Sequence, residues 1–194
     1  PIAIHQRIPD AWTTKGSTGR AALHCDARIV DSQGSTLGAD ARGEIVVRGP
    51  NIMREYWNDP EGTAEVLRDG WFHTGDIGHI DGAGLFYVDD RVKDVIISGS
   101  ENIYPAELEM VLDRCQDIAE AAVIGRADDK WGEVPIAIVV PNTGVDLSRD
   151  AILGLFEGEL ARFKHPHDVV FMESLPRNVM GKVLKFELRE MVRS

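Results

Sequence analysis

Along the first half of the chain, short runs of β-branched and aromatic residues alternate with turn residues: "ARIVDSQG", "GEIVVRGP", "WFHTGDIGHIDGAG" and "LFYVDD". Apolar runs of this length, bounded by Gly, Asp and Asn, predict small antiparallel hairpins. From about Arg91 the pattern changes. A strand "DVIISG" precedes a helix opened by Pro105, "PAELEMVLDRC", where Leu108, Val111 and Leu112 recur at spacings of three and four and predict one buried stripe. Two strands follow, "IAEAAVIG" and "PIAIVVP", then a helix "SRDAILGLFEGELARF", a strand "VVFME" and a last helix from about Lys185. The glycine loop from Ser98 to Glu101 reads by itself as a strand-to-helix turn. The whole predicts an α+β chain, a small β-rich part followed by a compact unit of about 100 residues with a central sheet flanked by helices. The boundary is expected between Asp89 and Lys93, and the sequence carries no internal repeat.

The chain has 194 residues, 43% hydrophobic and 27% charged, the balance of an ordinary globular protein with one or two cores. The longest apolar run, "VPIAIVVP", is strand-sized and far short of the ~18 residues that a membrane-crossing helix needs. Cys25 and Cys115 stand far apart without paired spacing, which suits a reducing compartment and makes cytoplasm the expected location. The opening "PIAIHQRIPDAW" has neither an initiator Met nor a basic-then-apolar leader, and the chain is expected to be a piece of a longer one. Net charge is -11, yet from Arg162 onward seven Lys/Arg face four Asp/Glu, leaving that end at +3 and the rest at -14. Such a contrast fits an anion-binding end or one solvated helix face. The overall acidity disfavours nucleic-acid binding, and no motif offsets it.

Three stretches carry candidate chemistry. In "GWFHTGDIG", Asp76 offers two acceptor oxygens on a short stem, able to take hydrogen bonds from two neighbouring hydroxyls, while Gly75 and Gly78 permit close approach. A plain hairpin accounts for the same stretch. In "DRVKDVIISGSENIYPAELE", Arg91 and Lys93 read equally as solvated charges at the head of a strand. In "LPRNVMGKVLKFELR", Lys182 directly follows a glycine. "GSTGR" at 16–20 lacks the spacing of a phosphate loop, the six histidines have no metal-ligand spacing, and His165 and His167, either side of a proline, read as surface residues.

Taken in order and at their separations, these stretches resemble the C-terminal part of the adenylate-forming (AMP-binding) enzymes, the superfamily of acyl- and aryl-CoA synthetases, luciferases and peptide-synthetase adenylation domains. The signatures are "GEIVVRGPNIMREYWNDPEGTAEVLRDGWFHTGDIG", "DRVKDVIISGSENIYPAELE" and "LPRNVMGKVLKFELR", and the resemblance covers nearly the whole chain. It implies that residues 1–90 close a large N-terminal domain and that 91–194 form the small mobile C-terminal domain. It implies an enzyme that joins a carboxylic acid to ATP with Mg2+, then transfers the acyl group to coenzyme A. By position, Asp76 and Arg91 match the ribose-binding pair, Lys182 the lysine of the adenylation step, and Lys93 the hinge. Gly99, Ser100 and Glu101 match the loop that lines the pantetheine tunnel.

The wording of "IISGSENIYPAELE" is similar to CoA ligases of fatty or aryl acids. Delivery to a carrier protein, or a non-catalytic module keeping the fold, are the alternatives. Ser100 stands where many relatives have a second glycine, Asp90 where glycine is frequent, and Asn178 where threonine is common. The phosphate loop, the magnesium ligands and the acyl pocket are expected outside these residues, in an N-terminal part of the same enzyme, so this chain alone is expected to be inactive. Self-association is left open.

Overall fold

The computed structural model describes residues 3–6 and 14–192. The chain divides into two units, Pro1–Lys93 and Asp94–Ser194.

The first unit is built of antiparallel strands, as glycine-punctuated runs demand. Strands β1 (Ile4–His5) and β2 (Arg20–Ala21) pair with each other. The main sheet holds β3 (Asp26–Val30), β4 (Gly43–Arg48), β5 (Leu67–Arg68), β6 (Trp71–Ile80) and β7 (Phe86–Arg91). β4 covers one edge of the long β6, while β5 and β7 share the other. Ile29, Ile45, Val47 and Phe86 form its core. The turn between β6 and β7 is fixed by Asp81, whose Oδ1 accepts from the N–H groups of Leu85 (2.8 Å) and Ala83 (2.9 Å). Those bonds, Leu85 first, hold its carboxyl below the usual carboxylate range. Helix α1 (Pro60–Val66) was not foreseen from the pattern of apolar residues, because it buries no side chain. It is set by its start: Asp59 accepts from Gly62 N at 2.9 Å, and Pro60 takes a first-turn position where no N–H is needed.

The second unit is a sheet between helices. Its elements are β8 (Ile96–Ser98), β9 (Glu101–Ile103), α2 (Pro105–Leu112), β10 (Ile118–Asp128), β11 (Gly132–Pro141), α3 (Arg149–Gly154), β12 (Asp168–Phe171) and α4 (Lys185–Met191). β10 and β11 make a long antiparallel hairpin, and β12 joins the far edge of β11 in parallel. β11 is buried on both faces. Ala137 and Val139 meet Leu108, Leu112 and Phe156 on the α2 and α3 side, while Ile136 and Ile138 meet Leu188 of α4. A strand covered twice reads as one continuous apolar run rather than an alternating one, which is why "VPIAIVVP" carries no period.

Three expectations need correction. Ser98 to Glu101 is not a strand-to-helix turn but the tip of the tight β8–β9 hairpin, with Ser98 opposite Glu101. The helix expected over "SRDAILGLFEGELARF" stops at Gly154. Beyond it the N–H groups of Leu155, Phe156 and Glu157 reach back only three residues, and Gly158 takes φ +79, so the chain tightens into turns while Phe156 stays fully buried. His165, read as a surface residue, is half-buried, tilted against Phe156 with ring centroids 6.0 Å apart.

The basic end is largely consumed by internal pairing. Lys164 pairs with Glu107, Arg177 with Glu120, Lys185 with Glu109 and Arg189 with the buried Asp94. Lys182 and Arg162 make no ion pair among the described residues, and Arg193 lies outside them. Cys25 and Cys115 are free thiols. No helix among the described residues is long and apolar enough to cross a membrane.

Candidate nucleotide site

Asp76 owes its position to an irregularity. Between the pairs Glu44↔Ile77 and Val46↔His73, β4 advances two residues while β6 advances four. The extra residues swell β6 into a bulge at Thr74, Gly75 and Asp76, and Gly75 meets the bend with φ +72, a conformation costly for any residue with a side chain. Thr74 Oγ1 donates to Ile45 O at 2.7 Å and accepts from Asp76 N at 3.1 Å. Glu44 closes the bulge from β4: its Oε2 meets His73 Nδ1 at 2.7 Å and its Oε1 accepts from Gly75 N at 3.1 Å. On the other edge, Asp76 stands opposite Arg91 in register, and Arg91 Nε meets Asp76 Oδ1 at 2.8 Å. Asp90 Oδ1 accepts from Arg91 N at 2.7 Å, a bond that glycine at this position would not make. Asp76 also borders a depression walled by Ile45, Val47, Phe72, Thr74 and Val88. A carboxylate steadied by a guanidinium at the rim of an apolar wall can take hydroxyls while a flat apolar group lies beside it.

Lys182 belongs to the other unit and is exposed. Its backbone is held by Asn178, whose Oδ1 accepts from Met180 N (2.9 Å) and Lys182 N (3.0 Å), while Asn178 N donates to Lys182 O at 2.9 Å. Gly181 turns the chain with φ +81, and Arg177 donates to Gly181 O at 2.6 Å. The lysine stem thus projects from a stiff tip flanked by Val179 and Met180, both exposed. Lys93 is exposed within a short 3-10 turn, Val92–Asp94, where the two units divide.

At the β8–β9 tip, Gly99 takes φ +64 and donates to Trp131 O at 2.6 Å, with Ser100 and Glu101 exposed beside it. A Cβ on Gly99 would stand 3.3 Å from the Trp131 ring. Asp128 Oδ1 accepts from the N–H groups of Trp131 and Lys130, both at 2.9 Å, and holds that turn. These two bonds, Trp131 first, lower the Asp128 carboxyl. Among the described residues, no group of three or more His, Cys, Asp or Glu is placed to hold a metal ion.

Compared with known families, residues 107–182 match the family model described as AMP-binding enzyme C-terminal domain, and residues 1–57 the one described as AMP-binding enzyme. The chain belongs to the AMP-binding enzymes. It is 53% identical over 192 residues to an indoleacetate–CoA ligase of Aromatoleum aromaticum, covering 99% of this chain and 38% of that protein. It is 48% identical over 174 residues to a feruloyl-CoA synthase of Amycolatopsis, covering 90% and 35%. Among solved structures, ATP-bound MatB of Rhodopseudomonas palustris matches with a TM-score of 0.87 at 40% identity, over 92% of this chain and 36% of that one. The o-succinylbenzoate CoA synthetase MenE of Bacillus subtilis, in complex with an acyl-adenylate intermediate, matches at 0.87 and 36%, over 96% and 38%. The chain therefore spans little more than a third of the length of the relatives it matches.

Within this chain of the AMP-binding enzyme family, the structure brings Asp76 and Arg91 together and sets Gly99 to Glu101 on one tip. It adds residues that sequence reasoning passed over. Asn178, noted in the sequence only as standing where threonine is common, ties the Lys182 loop. Its signal was present in "NVMGK", since Asn before a glycine turn favours bonding to its own backbone. Trp131 carried no comparable signal; only the β8–β11 pairing places it against Gly99.

Proposed function

We propose that this chain forms the C-terminal part of an ATP-dependent acid–CoA ligase, an enzyme that makes an acyl-adenylate and then passes the acyl group to coenzyme A. The observation that carries the reading is the Asp76–Arg91 pair, set in register at a bulge beside an apolar wall. The Asp76 carboxylate accepts hydrogen bonds from the two ribose hydroxyls of the nucleotide, and Arg91, paired with it at 2.8 Å, holds it in place. Lys182 acts in the first step, where the acid's carboxylate oxygen attacks the α-phosphorus and pyrophosphate leaves. Its compact charge offsets the negative charge that gathers between two anions. In the second step the coenzyme A thiol gives up its proton, its sulfur attacks the acyl carbon, and AMP departs. Gly99, Ser100 and Glu101 line the path of the pantetheine arm, with Lys93 as the hinge between the two steps. The magnesium that accompanies ATP has its ligands, like the acyl pocket, outside these residues.

The relatives' names carry indoleacetate, ferulate, succinylbenzoate and long-chain fatty acids. These acids share little beyond the carboxylate, the group on which the proposed chemistry acts, so the reading stops at a carboxylic acid. A panel of aryl and aliphatic acids, assayed for ATP- and coenzyme A-dependent thioester formation by the enzyme containing this chain, tests it. Thioester with release of AMP and pyrophosphate is expected; acyl transfer without ATP consumption would contradict it.

A further inference from the structure

The Glu44–His73 contact has no role in the chemistry proposed above, yet both residues border the bulge that delivers Asp76. Their side chains are only 19% and 15% exposed, and the contact is 2.7 Å. With its other oxygen, Glu44 accepts from the N–H of Gly75, a backbone group that the register slip takes out of the β4 ladder. In a regular strand that N–H would find a partner in the neighbouring strand. In a bulge it needs a side chain, because an unpaired buried donor is costly. One carboxylate thus ties His73, before the bulge, to Gly75, inside it and next to Asp76.

We infer that Glu44 and His73 form a brace that aims the Asp76 carboxylate, which makes them positioning residues for nucleotide binding. Glu44 supplies two acceptors to two donors on one strand, and His73, in the tautomer that presents Nδ1–H to the carboxylate, fixes its rotamer. Thr74 restrains the same turn from inside, but its bonds go to Ile45 O and Asp76 N, so it cannot replace the tie at Gly75. Freed of the brace, Gly75 has open space where a Cβ would stand and a φ that glycine leaves readily, and the bulge can relax.

This inference rests on the ribose role proposed for Asp76, and the test separates the two. AMP alone is titrated calorimetrically into the enzyme containing this chain. Glu44→Ala is expected to weaken AMP binding about tenfold, the weight of one well-made hydrogen bond. Glu44→Gln should recover most of that loss, since its amide oxygen can accept from Gly75 N and its NH2 can face the other tautomer of His73. In an Asp76→Ala background, Glu44→Ala should cost nothing further, because the brace then has nothing to aim. Equal losses in both backgrounds, or a lowered Tm with unchanged AMP affinity, would overturn the brace. Should Glu44→Ala not fold, His73→Ala read in the same cycle decides by the same criteria. If Asp76→Ala weakens AMP and neither brace variant does, the brace falls alone; if Asp76→Ala leaves AMP affinity intact, the ribose role falls and the brace with it.

Discussion

At the scale of single residues, the proposed chemistry depends on short side chains whose backbone is immobilised by neighbours. Asp76→Ala removes the acceptor pair while leaving the Thr74 and Glu44 ties, so the fold should survive. AMP and ATP affinity should drop by a few kcal/mol, charge-assisted hydrogen bonds being worth roughly 1.5–3 kcal/mol each. Calorimetry on a variant of unchanged Tm checks this, and unchanged affinity would remove Asp76 from the site. Asn178 is a second case. Asn178→Ala strips the acceptor for Met180 N and Lys182 N and frees an exposed tip without touching a core residue. Adenylation, followed as pyrophosphate release, should slow about tenfold, since small misplacements of a catalytic group are expensive. Asn178→Thr, whose hydroxyl can still accept, should lose less.

At the scale of elements, an ion pair joins α3 to β12: Arg149 Nε meets Asp168 Oδ1 at 2.7 Å, and Arg126 lies 3.5 Å from Oδ2. Arg149 foremost pulls the Asp168 carboxyl below its ordinary value. The unfolded chain, with its aspartate at about 3.9, binds that proton more tightly than the folded one. The stabilisation is therefore complete above about pH 4 and is lost as pH falls through the lowered folded value. Asp168→Asn should lower the urea midpoint at neutral pH and flatten its decline below about pH 4; an unaltered acid limb would count against the pair. Gly99→Ala places a methyl against Trp131 at a φ that favours glycine, so thioester formation should suffer while adenylation is spared. The sequence disclosed elements of this kind unevenly. Strands β10 and β11, and helix α2 with its stripe of Leu108, Val111 and Leu112, were legible because burial imposes a pattern on them. Helix α3 was over-extended because Ile152, Leu153, Leu155, Phe156 and Leu160 keep helical spacing through Gly154 and Gly158, and tertiary burial of Phe156 does not require a helix. Of the candidate site, the sequence offers residues, Asp76, Arg91 and Lys182, but no geometry: the tie from Glu44 depends on a register slip between strands that no single stretch records.

At the scale of the whole molecule, the proposal places the two half-reactions on different groups, and Lys182 and Lys93 are where that division can be tested. Lys182 stands on a stiff loop in the second unit, and its charge has no ionic partner among the described residues. If it serves only adenylation, Lys182→Ala should slow acid plus ATP by ~10²–10³, the usual cost of one preorganised charge, while pre-made acyl-adenylate plus coenzyme A still yields thioester. Lys93 lies in the short turn between the units, where a few backbone angles could absorb a rearrangement. Proline there fixes φ and also restricts Val92 before it, so Lys93→Pro should spare adenylation and block thioester formation. Lys93→Ala, which keeps backbone freedom, should affect both steps far less; this separates a hinge from a needed charge. Single-turnover assays of each half-reaction, on variants whose Tm matches the parent, give the answer. Equal loss of both steps in Lys182→Ala and Lys93→Pro would mean that the two lysines share one role, and the division of labour would have to be abandoned.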